Sequence, residues 1–333
     1  MDVYKRTEFV KNDPLVSILV PVYNVAEYIE RCARSVFEQT YDNLDILFVD
    51  DGCTDDSIYI LERVIVEYPH FKKRIRIIHH VTNRGLSATR NTLVHNSAGE
   101  FVFHLDSDDW IEPNTIEVLV KEQVHSDADI VMGRTILHNE EGNVYWISKD
   151  GFELERRTFI EEALLWHIWF YPWNRLIRKC LYTDRQIKCD ENYRREDFSI
   201  FYRLYYFAKK ISGVNTYTYH YIRRPGSTMR LSLNDRTKME EYVRYDRVIS
   251  DFFKDNDADL YEKSLIFHIN KLNSIVKIEF ENNNKPDFVY FVGKLKHETD
   301  RRYWHVIGWD NPLIRFISSH YLTRCFFCRR RKK

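Results

Sequence analysis

The sequence predicts an α/β protein, a mostly parallel β-sheet with helices on both faces, followed by a helical C-terminal region. Three observations predict it. Short apolar, β-branched runs alternate with segments whose apolar residues recur at helical spacing, the order that builds parallel sheets. Those runs are apolar on successive residues, as strands covered on both faces must be. Beyond about residue 230 the strand runs stop and the pattern turns helical and charged. Hydrophobic residues make up 44% of the chain, enough for a sizeable core. The 50 Lys and Arg residues balance 50 Asp and Glu residues, which excludes the basic character that a nucleic-acid partner would require.

The elements follow in order. Residues 15–20, LVSILV, form a first buried strand. Asn24 caps the next segment, where Ile29, Cys32, Ala33, Val36 and Phe37 share a helical face. Residues 45–49 form a second strand, after which Thr54 or Asp55 opens a helix through Ile58, Leu61, Val64 and Ile65. A third strand is 74–79, a helix covers 86–97, and a fourth strand is 100–105. Pro113 starts a helix through Ile116, Leu119 and Val120, with Asp109 a candidate cap. A fifth strand spans 129–133, then a hairpin over 134–150 turns near Glu141, Gly142 and Asn143. Helices near 158–168 and 196–209 and a strand near 214–222 complete this part. From about 235 to 300 the reading is helical. The division is therefore a domain over 1–230 and a helical region over 231–333.

Ligands of such sheets bind at the carboxyl ends of the strands, and acidic clusters fall there. Asp106, Ser107 and Asp108 follow the fourth strand, where two carboxylates on one turn suit a hard cation such as Mn²⁺ or Mg²⁺. A solvated acidic turn reads the same way. Asp50 and Asp51 end the second strand, and an aspartate there can accept a hydrogen bond from a base or ribose, or simply shape the turn at Gly52. In Asn83-Arg84-Gly85-Leu86-Ser87-Ala88-Thr89-Arg90-Asn91 a helix start offers free N–H groups, and Arg90 reaches either a phosphate or an aspartate. Glu196 and Asp197 open a later helix, where a carboxylate is stabilised as its anion; it serves as a base or as a cap.

Taken together, Pro21-Val22-Tyr23-Asn24, VDDGCTD, NRGLSATRN, LDSDDW, Trp173-Asn174-Arg175-Leu176 and EDF resemble the ordered signature of family 2 glycosyltransferases, across about residues 15–230. The resemblance implies the GT-A fold, a Rossmann-like sheet, and an inverting transferase in cell-surface polysaccharide synthesis. It implies a nucleoside-diphosphate sugar donor, commonly uridine-linked, and a glycan or lipid-linked hydroxyl acceptor. Pro21, Tyr23, Asn24 and Asp51 would hold the nucleoside. Asp106 and Asp108 would serve ribose and metal, and Asp197 would be the general base supported by Glu196. Trp173 and Asn174 would lie by donor sugar or acceptor, with Arg90 and Arg223 toward the diphosphate. Cys53 stands where the family usually has Ser, and Arg175 where Lys is common.

Two other classes remain as alternatives: a catalytically inactive nucleotide-sugar-binding protein, and a sugar nucleotidyltransferase. The second would want a Gly-rich phosphate loop after the first strand, which PVYNVAEY is not. The six cysteines are scattered and the first residues carry no apolar signal, so a cytoplasmic setting is expected. Residues 311–333 combine an amphipathic pattern with a closing Arg329–Lys333 cluster. They fit a peripheral anchor on the cytoplasmic membrane face, or a helix docked on the protein's own core. Cys325 and Cys328 form a CxxC with no further zinc ligands paired to it, and His220 reads as a structural histidine rather than a metal ligand.

Overall fold

The computed structural model describes residues 13–139, 141–147, 155–164, 171–191, 196–223, 236–281, 290 and 294. Its first strand, β1 (Val16–Val22), is buried along its whole length. It pairs in parallel with β2 (Leu44–Asp50) on one side and β4 (Phe101–His104) on the other, and β2 pairs in parallel with β3 (Ile75–His79). Side chains alternate across the sheet. Val16, Ile18, Val20, Ile46, Phe48, Phe101 and Phe103 join one core with the apolar stripes of α1 (Ile29–Phe37), α2 (Ser57–Glu67) and α4 (Thr115–Ser126). The helix α3 (Leu86–Asn96) packs on β1 and β2 through Ala88 and Leu93.

Beyond β4 the sheet is mixed. The sheet contains β5 (Trp110–Ile111), β6 (Ile130–His138), β7 (Val144–Ile147), β8 (Arg175–Arg178) and β9 (Ile211–Ile222) in the order β3-β2-β1-β4-β8-β6-β9-β5, with β7 on β6. β8 runs antiparallel between β4 and β6, whereas β6 and β9 pair in parallel. The strands β1, β2, β3, β4, β6 and β9 thus share one direction. The hairpin turns at Asn139–Asn143 as expected, but its first arm and the fifth strand are one continuous element, β6. The turns at β8 and β5 are short, and neither was expected as a strand.

Several helix starts differ from expectation. Asn24 does not cap α1; it holds a left-handed backbone (φ 49°) and its Oδ1 accepts from the Thr54 amide and hydroxyl, tying the loop after β1 to the loop after β2. At α2, by contrast, one of the two expected residues does open the helix: Asp55 Oδ1 accepts from both the amide and hydroxyl of Ser57. Asp109 caps nothing, as described below. Between β7 and β9 lie α5 (Arg156–Leu164), the short α6 (Cys180–Thr183) and α7 (Glu196–Phe207). The remainder of the helix expected near 158–168 lies outside the described residues.

The chain divides between Ser227 and Thr228. The second unit contains α8 (Arg236–Asn256) and α9 (Ala258–Glu281), which pack on one another. Val243, Ile249 and Phe253 of the first and Leu260, Ile269 and Leu272 of the second are buried. Asp257 caps α9 by accepting from the amides of Asp259 and Leu260. Among the described residues no helix is long and apolar enough to cross a membrane. Residues 311–333, with the CxxC pair, lie outside the described residues.

Candidate active site

The carboxyl edge of the sheet gathers three loops and one acidic turn. Pro21 is buried within β1 opposite Val49, while Tyr23 just beyond it is 47% exposed. Asp50 closes β2. Burial works against its charge, but donation from the Cys53 amide and His79 holds its carboxyl below the usual carboxylate value. Cys53 sits partly buried, its thiol pushed up to about 12 by burial, so it stays neutral at the position where Ser is usual.

Asp51 is turned inward. Its carboxylate accepts from the Arg84 amide (2.9 Å), the Gly85 amide (2.8 Å) and His80 Nδ1 (2.7 Å), and His80 Nε2 meets Thr92 Oγ1 at 3.0 Å. It therefore shapes the loop that starts α3, and most of its accepting capacity is taken by protein. Gly85 has φ 87°, a backbone that L side chains rarely adopt. Of the two partners open to Arg90, the structure selects the aspartate: Nη2 donates to Asp106 Oδ1 at 2.7 Å from a side chain 2% exposed.

The acidic turn is held at several points. The Asp106 amide donates to the Tyr219 hydroxyl, and that hydroxyl donates to Asp109 Oδ2 at 2.7 Å. Asp109 Oδ1 accepts from the Ile222 amide at 2.9 Å. Asp109 is fully buried, and burial with the charges of Asp108 and Asp106 pushes its carboxyl well above the carboxylate range. It is thus a structural group of the turn and not a helix cap. Asp106 and Asp108 remain partly exposed. Two hard oxygen donors on a strand-end turn fit Mg²⁺ or Mn²⁺, which take one or two carboxylates and complete their shells with water and substrate phosphate. Among the described residues no group of three His, Cys, Asp or Glu side chains is arranged to hold a metal by itself. His220 is satisfied by His138 and by Glu112 and stacks on Trp110, as a structural histidine would.

Two expected substrate contacts point the other way. Trp173 is 5% exposed and stacks between Tyr171 (4.1 Å) and Tyr219 (4.7 Å). Asn174 is fully buried at φ 57°; its amide donates to the Gly133 carbonyl and Thr135 Oγ1, and its Oδ1 accepts from Thr218 Oγ1 at 2.6 Å. Both side chains are turned to protein partners rather than to solvent. They lock β8 against β6 and β9, and behind them Tyr219 holds the acidic turn. Tyr219 and His80 were missed in the sequence because their partners lie 110 and 29 residues away, with no local pattern to join them.

Asp197 lies in the first turn of α7 and is partly buried; the Glu196 side chain lies outside the described residues. α7 ends at Phe207, just before β9 starts at Ile211 beside Ile130, at the amino edge of the sheet. Ile200, one turn on from Asp197, lines a cavity of about 490 Å³ together with Arg90 and His104. Arg223, at the end of β9, is exposed, and its amide donates to the His138 carbonyl.

A model of glycosyl transferase family 2 matches residues 17–198, more than half of the chain. The protein belongs to glycosyltransferase family 2. It is 31% identical to the glycosyltransferase GlyG of Streptococcus pneumoniae over 65% of this chain and 73% of that protein. It is also 31% identical to GlyA of the same organism over 66% of this chain, spanning 32% of that longer protein. The fold is that of S. aureus TarS 1-349, solved in complex with UDP, at a TM-score of 0.64 and 19% identity over 86% of this chain and 82% of that one. It is also that of the Pyrobaculum calidifontis mannosyltransferase PcManGT, solved with GDP-Man and Mn²⁺, at 0.52 and 14% identity over 90% of this chain and 89% of that one. The sheet is therefore of the GT-A kind, and this family 2 chain is a glycosyltransferase.

Proposed function

We propose that this enzyme is an inverting, metal-dependent transferase. It moves a sugar from a nucleoside diphosphate, uridine-linked by preference, to a hydroxyl of a glycan or lipid-linked acceptor in cell-surface polysaccharide synthesis. The observation that supports it best is the Arg90–Asp106 ion pair after β4, beside a cavity that Arg90 lines together with Ile200, one turn on from Asp197 in α7. The UDP of TarS and the GDP-Man and Mn²⁺ of the mannosyltransferase support a nucleotide donor and a divalent ion.

Each residue then has a task. Tyr23 offers an exposed ring beside the nucleoside loop, and Asp51 keeps the 80–85 loop in shape beneath it. Arg90 holds Asp106 by a buried ion pair, leaving Asp108 as the main cation ligand. When bound, Mn²⁺ or Mg²⁺ offsets the negative charge that gathers on the departing diphosphate. Arg223, exposed at the end of β9, adds charge toward the diphosphate. Asp197, kept anionic by its helix N-terminus, accepts the proton of the acceptor hydroxyl as that oxygen attacks the anomeric carbon from the face opposite the leaving group. One displacement inverts the anomeric configuration.

The test is Asp197→Asn. Transfer should fall about a thousandfold, within the roughly 10²–10⁴ span typical of one acid–base group, while calorimetric binding of the UDP-sugar with Mn²⁺ stays within about twofold. Near-normal turnover in the variant removes Asp197 from the mechanism. Donor binding without any transfer or hydrolysis by the native enzyme, across a panel of acceptors, would favour the inactive binding protein instead. For the membrane partner, liposomes containing anionic lipid should sediment the full chain and release one lacking 311–333; equal sedimentation assigns the tail to the protein's own core.

A further inference from the structure

The acidic turn is gripped from a side that the mechanism has not used. Arg31, on α1, donates from Nη2 to the Asp108 carbonyl at 3.2 Å. Its guanidinium lies 3.6 Å above the Trp110 ring. His220 stacks on the same ring at 4.7 Å and only 5° from parallel, and His220 is itself fixed by Glu112 (2.7 Å) and His138 (2.9 Å). The result is a stack of guanidinium, indole and imidazole that joins α1 to the β6–β9 strands. Within the turn, Asp106 is held by Arg90 and Tyr219, and Asp109 by Tyr219 and the Ile222 amide. Arg31 adds the main chain of Asp108, and a fixed carbonyl fixes the peptide plane from which the Asp108 side chain departs.

We propose that Arg31 and Trp110 are positioning residues that lock the acidic turn and so set the direction in which Asp108 presents its carboxylate to the cation. This rests on the metal reading of Asp108 above. The stack is suited to the purpose. A planar guanidinium can stack and donate at once, which a lysine ammonium cannot. Burial lowers the guanidinium's proton affinity, but a guanidinium keeps its proton in proteins, so the charge is present for the cation–π contact.

Electrostatics and positioning make opposite predictions for this residue, which makes it testable. A positive charge beside the cation's ligand disfavours a second positive charge. If Arg31 acted only through its charge, removing it would tighten Mn²⁺ binding. Positioning predicts the reverse. In Arg31→Ala the half-saturating Mn²⁺ concentration in the presence of UDP, measured by calorimetry, should rise about tenfold or more, as losing an outer-shell partner of a metal ligand does. Arg31→Lys should recover only part of it, and metal-free UDP affinity should stay near the native value. Amide hydrogen exchange on the metal-free protein gives a second readout: protection across 106–110 should drop in Arg31→Ala and in Trp110→Ala, with the rest of the sheet unchanged. Unchanged or tighter Mn²⁺ binding, or unchanged exchange in the turn, overturns the proposal. If the native protein bound no Mn²⁺ at all, the metal reading itself would fall, and the exchange measurement would still decide whether Arg31 holds the turn.

Discussion

Asn174 shows how one residue can carry a family signature for a reason other than ligand contact. Its left-handed backbone suits Asn better than most residues, and its side chain saturates three buried partners on β6 and β9. Asn174→Ala should therefore cost about 2–4 kcal/mol of stability, from unpaired buried groups and backbone strain, measured by denaturant unfolding, with donor affinity of the remaining folded protein unchanged. A native melting curve with weakened donor binding would return Asn174 to the substrate. His104 gives a residue-level prediction in pH. It is fully buried, and burial holds its imidazole well below the ordinary 6.5, with the Arg90 charge adding to the effect. The unfolded chain takes up a proton there as pH falls through about 6.5 while the folded chain does not, so stability declines on acidification. His104→Gln should show a shallower decline between about pH 7 and pH 5; an identical slope contradicts the buried neutral histidine.

At the scale of elements, the strands that were legible are those buried on both faces. β1, with all seven residues buried, and β2 present apolar runs interrupted within only by Ser17 and Asp45, which hydrogen-bond each other. β8 was not legible. Its sequence is Arg-Leu-Ile-Arg, it is four residues long, and Arg175 is 1% exposed although its type argues for a surface. What makes it a strand is the gap between β4 and β6, a tertiary fact. The same holds for the site. The acidic turn and the start of α7 announced themselves by position after a strand and at a helix start, while the inward turn of Trp173 and Asn174 depended on partners on β6 and β9. The join between β6 and β9 offers a prediction at this scale. A Cβ on Gly133 would lie 1.8 Å from Thr218 Oγ1, which is itself committed to Asn174. Gly133→Ala should destabilise by about 1–3 kcal/mol through overpacking, read as a lowered melting temperature; a native melting temperature would mean that the strands separate more readily than their packing implies.

At the scale of the whole molecule, the sheet delivers segments distant in sequence to one edge. β4 leads into the acidic turn and the 80–85 loop is shaped by Asp51, and the proposed function requires that α7 present Asp197 at the same edge. Nothing local to any of these segments specifies the others; the common strand direction of β1, β2, β3, β4, β6 and β9 does. The most direct measurement is an anomalous-scattering map of crystals grown with Mn²⁺ and UDP. The account predicts one strong Mn²⁺ peak about 2.1–2.2 Å from a carboxylate oxygen of Asp108, close to octahedral ligand distances, shared with diphosphate oxygens, with the Asp197 carboxylate facing the same cleft. A Mn²⁺ peak away from the acidic turn, or Asp197 on the face of the sheet remote from the nucleotide, would contradict it.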